Sequence, residues 1–94
     1  MNKHEFKATA EKSINEIATQ IDKLDARKTA VKEEAKAKYT EMLNDLKSQK
    51  ESLQAKYKSL ENASEEKWDE VKSAFSSASE SFREGFRKIN SLAN

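Results

Sequence analysis

The sequence predicts an all-α chain, and three observations carry that prediction. The first is punctuation: the 94 residues include one glycine, Gly85, and no proline. Hairpins and tight turns need residues that accept a positive or a fixed φ, so a sheet has almost nothing to turn on. The second is composition. Hydrophobic residues are 35% and charged residues 37%, against about 45–50% and about 25% in ordinary domains. Ala, Glu, Lys, Leu, Gln and Ser fill the space, most of them good helix formers. The third is period: apolar residues recur three and four apart, the spacing of one helix face.

Taken in order, Ile14, Ile17, Ile21, Leu24 and Val31 form a heptad seam with Lys28 in the skipped slot. From Leu24 the rhythm becomes alternating steps of seven and four, through Val31, Ala35, Met42, Leu46, Leu53, Tyr57 and Ser64 to Trp68. That is an 11-residue (hendecad) repeat, with Tyr39, Leu60 and Val71 widening the stripe. From Trp68 the heptad returns through Val71, Phe75, Ala78, Phe82, Gly85, Ile89 and Leu92. The helix–helix interface is therefore expected at Ile14, Ile17, Ile21, Leu24, Val31, Ala35, Met42, Leu46, Leu53, Tyr57, Leu60, Trp68, Val71, Phe75, Phe82 and Ile89.

These elements make one elongated helical domain over 1–94: a repeat helix over 5–60, a candidate break at 61–64, and an aromatic-rich amphipathic helix over 65–92. At the break, Asn62 or Ser64 is a candidate cap, and Glu65 and Glu66 complement the next helix dipole. No glycine ends the first helix there, and the stripe keeps its phase from Tyr57 through Ser64 to Trp68. The favoured topology is a near-continuous helix on the order of 130 Å long. The alternative is a helical hairpin turning near 61–64. Neither buries the whole stripe within one chain, so both predict a self-associating coiled coil, a homo-oligomer.

The chemistry-bearing inventory is thin. His4 is the single histidine, and there is no cysteine. Glu61/Glu65, Glu66/Glu70 and Glu80/Glu84 stand four apart on helix faces, where nothing desolvates them for acid–base work. No phosphate loop, zinc spacing or calcium loop occurs. The expectation is a non-enzymatic protein with no cofactor and no metal. Residues 1–60 carry 13 Lys/Arg against 10 Asp/Glu, and residues 61–94 carry 5 against 7. Basic and acidic residues interleave throughout, so nucleic acid is not an expected partner. The first residues lack an apolar signal region, and no run approaches the roughly 18 apolar residues of a membrane span. A cytoplasmic location is expected.

The aromatic residues gather toward the C-terminal end. Trp68, Phe75 and Phe82 stand seven apart with Phe86 beside them, and Arg83, Arg87 and Lys88 flank that face. One reading is an aromatic oligomer core. The other is a surface-seeking amphipathic helix, in which Trp68, Phe75, Phe82, Arg83, Phe86 and Arg87 meet a lipid or granule surface or another helical protein. The functional expectation is a coiled-coil spacer or scaffold acting through self-association, with the surface binder as the alternative.

The run Ala63-Ser64-Glu65-Glu66-Lys67-Trp68-Asp69-Glu70-Val71-Lys72-Ser73-Ala74-Phe75, followed by Ala78 and Phe82-Arg83, resembles the tail of small Lys/Glu/Ala-rich bacterial coiled-coil proteins. There a Trp is followed by two acids, an aliphatic residue and Lys, then by Phe and Ala at helical spacing. Ala37-Lys38-Tyr39 and Leu60 fit the same charged helix, and the likeness spans residues 20–83. It implies a bacterial source and a coiled coil, with no activity attached. The 11-residue rhythm is similar, more weakly, to apolipoprotein-type amphipathic repeats, which are usually punctuated by proline.

Overall fold

The computed structural model describes residues 2–93, with the backbone alone at Ala93. Met1 and Asn94, the ends of the 1–94 domain expected above, lie outside the described residues. Three α-helices follow one another: α1 over Lys3–Arg27, α2 over Glu33–Asn62 and α3 over Glu65–Ala93. They run up, down and up into a rod of 50 × 17 × 17 Å. The chain starts with a reciprocal cap. The Asn2 side chain accepts from the Glu5 N–H at 2.8 Å and donates back to the Glu5 carboxylate at 3.2 Å; the first bond occupies one donor that the first helical turn leaves free.

The near-continuous helix is corrected by two breaks. The first, at residues 28–32, had no sequence expectation. The end of α1 tightens into a 3₁₀ turn over Lys28–Ala30, with the Lys28 N–H on the Asp25 carbonyl. Val31 and Lys32 are then extended, with ψ of 139° and 145°. Tightening takes the Leu24 carbonyl out of the α-helical ladder, and the Tyr39 hydroxyl donates to it at 2.7 Å in a buried position. Arg27 and Lys28 at the end of α1 and Glu33 and Glu34 at the start of α2 match the two dipoles.

The second break is the alternative turn near 61–64. Helix α2 ends at Asn62, and α3 begins at Glu65. Ala63 is extended (φ −71°, ψ 133°), its N–H reaches the Leu60 carbonyl at 3.4 Å, and the Lys67 N–H on the Ser64 carbonyl at 3.1 Å opens α3. Asn62 donates back to the Lys58 carbonyl at 3.1 Å.

Three helices bury what two could not. Neither expected topology buried the whole stripe within one chain, yet Ile17, Ile21, Leu24 and Val31 are all buried in the same core as Leu46, Leu53, Leu60, Phe75, Phe82 and Ile89. The requirement for a second chain to cover the stripe is thereby removed. The 11-residue stripe is also corrected, because it crosses both breaks. Within α2 the deepest side chains are Tyr39, Leu43, Leu46, Leu53 and Leu60, a heptad pattern; Ala35, Met42 and Tyr57 line its flanks. Gly85, on the C-terminal heptad, faces a leucine of α2: a Cβ there would stand 2.8 Å from the Leu46 Cδ2.

Candidate functional site: the aromatic end of the bundle

The most chemically distinctive region lies where the start of α1 meets the α2–α3 turn. Phe6 stands edge-on to Trp68, with centroids 5.6 Å apart, and edge-on to Phe75 at 6.0 Å. Such T-shaped pairs set a positive ring edge against a negative face. Two cations cover the rings: Lys72 Nζ lies 5.6 Å from the Phe6 centroid, and Lys3 Nζ 5.7 Å from that of Trp68. The same Lys3 Nζ donates to the Ala63 carbonyl at 2.7 Å. One lysine therefore ties the first turn of α1 to the turn between the other helices.

The backbones of α1 and α3 approach one another less closely than either approaches α2. The seam between them is lined by small side chains, among them Thr9, Ala10, Ser13, Ser76 and Ser79, leaving a shallow groove of about 170 Å³. Arg83 borders it, paired with Glu80 at 3.2 Å. At the opposite end Arg27 donates to Asn90 at 3.1 Å, and between α2 and α1 the Tyr57 hydroxyl donates to Glu11 at 3.5 Å. Burial pushes the Tyr57 hydroxyl above its ordinary pKa of 10.0, and the Glu11 and Glu61 charges push the same way.

The expected interface residues all face the bundle. Ile17, Ile21, Leu24, Val31, Leu46, Leu53, Leu60, Phe75, Phe82 and Ile89 are buried, and Ile14, Ala35, Met42, Tyr57, Trp68 and Val71 pack half-buried against them. The contacts are between helices of one chain. Of the surface set, Phe75 and Phe82 point inward, Trp68 and Phe86 are half-buried, and Arg83 and Arg87 are exposed. Phe86 stacks on Phe82 with centroids 6.3 Å apart.

Four contributors were not among the expected interface residues, although Tyr39 stands on the widened stripe. Leu43 and Ala10 are each 1% exposed, Tyr39 is fully buried, and Phe6 is the hub of the aromatic end. The signal for Ala10 was present, since Ala10, Ile17, Leu24 and Val31 stand seven apart. Among the described residues, no group of His, Cys, Asp and Glu is placed to hold a metal ion, and no helix is long and apolar enough to cross a membrane. No family model matches the chain, and no curated protein or solved structure shows significant similarity to it.

Proposed function

We propose that this chain is a non-enzymatic structural or interaction protein, a short helical spacer or scaffold that works through self-association. The observation behind this reading is the distribution of side chains in the rod. The large apolar residues lie along its axis, while the long outer faces carry interleaved Lys, Arg, Asp and Glu. A surface of this kind recognises by shape and by matching charge along helices. The heptad positions that pack three helices within one chain are also the positions that a second copy satisfies identically. Sedimentation equilibrium from micromolar to millimolar chain is the test. The expected result is a mass that rises from 10.7 kDa toward twice that value. A mass fixed at the monomer value over the whole range overturns the reading.

A further inference from the structure

The geometry points to a specific route of self-association: the α2–α3 turn straightens, and two chains exchange their α3 helices. This rests on the self-association reading above and names its partner, a second copy of this chain. One observation behind it is a shared register along the flank of the core, although the deepest positions, Leu46, Leu53 and Leu60 and then Phe75, Phe82 and Ile89, shift by one residue at the turn. Leu43, Lys50, Tyr57, Ser64, Val71, Ala78, Gly85 and Leu92 stand seven apart across the turn. All except Ser64 are buried or half-buried against the bundle. A hairpin turn imposes no such phase. One helix through residues 33–93 spans about 90 Å and holds this track on a single face by supercoiling, since a straight helix drifts about 20° per heptad.

The turn itself is made of residues that can be helical. Neither glycine nor proline lies within it, and no described residue has a positive φ. The φ of Ala63, −71°, is already helical, so at this residue straightening rotates only ψ, from 133°. Straightening also returns the Ala63 carbonyl to the ladder, where the Lys67 N–H is its α-helical donor. In the closed rod that carbonyl instead receives Lys3 at 2.7 Å, so the Lys3 tie and the straight helix compete for one acceptor. Glu65 and Glu66 further favour the closed form, because they sit in the first turn of α3. In a straight helix Glu65 would face Glu61 four residues away.

The other turn is locked. Val31 is buried, and the Tyr39 hydroxyl holds the Leu24 carbonyl inside the core. Around the second turn, Glu61, Asn62, Ser64, Glu65 and Glu66 are all exposed. Exchange costs no interface, since every α2–α3 contact of the closed rod reforms between chains. The closed monomer therefore dominates when dilute, and the exchanged dimer forms by mass action when concentrated.

The chain has no cysteine, so a pair introduced as Asp45→Cys and Glu84→Cys carries spin labels cleanly. Both positions border one groove between α2 and α3, which makes the label separation short in the monomer. In a straight helix they are 39 residues apart, about 58 Å. The labelled chain is mixed with excess unlabelled chain, refolded at millimolar concentration, and its dimer isolated. The expected intrachain distance is near 58 Å. Ser64→Ala and Lys3→Gln should each raise the dimer fraction severalfold. Glu65→Pro, which fits the first position of α3 but not a helix interior, should lower it at least tenfold with monomer helicity retained. A dimer with the short distance, or one indifferent to Glu65→Pro, overturns the exchange while leaving self-association standing. No dimer under any condition overturns both.

Discussion

Tyr39 fixes the first corner of the bundle through one bond. Its ring is fully buried, and its hydroxyl satisfies the Leu24 carbonyl that the 3₁₀ turn frees. Tyr39→Phe keeps the ring and strands that carbonyl in the core. A buried acceptor left without a donor costs about 1–3 kcal/mol. The unfolding free energy is expected to fall by that amount, read as a lower urea midpoint with the slope unchanged, since the surface exposed on unfolding stays the same. The same hydroxyl gives a pH signature. Burial raises its pKa above 10.0, with Arg27 opposing and Asp25 adding. The folded state then holds the proton more tightly than the unfolded state. This stabilisation is complete below the unfolded pKa of about 10 and is lost as pH rises through the folded value. Stability measured between about pH 8 and 11 should fall more steeply in the parent chain than in Tyr39→Phe. Identical profiles would show that the hydroxyl is not the group responsible.

At the scale of elements, Gly85 sets how closely α3 lies on α2. A methyl group there gains about 1 kcal/mol of helix propensity but meets the Leu46 Cδ2 at 2.8 Å. That carbon is the free end of its side chain, and it borders an open groove of about 390 Å³. Gly85→Ala is therefore expected to leave stability within about 1 kcal/mol of the parent. Gly85→Leu adds three further carbons beyond the Cβ that already meets Leu46, overpacks the contact and costs roughly 1–3 kcal/mol. Urea midpoints of the pair separate the two effects. Helical class and the inward face of each helix were legible in the sequence because period and composition are local properties. The turns were legible only in part. Asn62–Ser64 carried capping residues and an acidic first turn. At residues 28–32, however, α2 begins behind Lys32, which has no capping side chain, and α1 ends without glycine. The device that closes that corner is a tyrosine fifteen residues from its acceptor, a tertiary contact that no local pattern encodes. The long stripe misled for the same reason: three heptad helices joined by short turns imitate one drifting helix. The aromatic end was legible only in its α3 half, because Phe6 reaches it through the fold.

Considered whole, the molecule spends the α3 apolar face internally, and this decides how it meets a lipid surface. Phe75, Phe82 and Ile89 are buried against α1 and α2, and Trp68 is half-buried between Phe6 and Lys3. Moving α3 into a bilayer exchanges one apolar environment for another and gains little. It strands the matching faces of α1 and α2 in water, including Ile17, Leu24, Leu43, Leu46 and Leu53. Each such side chain costs roughly 1.5–3 kcal/mol to expose, and the five together, about 8–15 kcal/mol, match the 5–15 kcal/mol by which a domain is typically stable. Attraction of Arg83, Arg87 and Lys88 to anionic headgroups, at about 1 kcal/mol per charge, does not offset that loss. Anionic vesicles at neutral pH are thus expected to leave the Trp68 emission unshifted and the chain in the supernatant. A blue shift with co-sedimentation under those conditions would mean that α3 leaves the bundle, and would move the function from the rod's surface to its aromatic face.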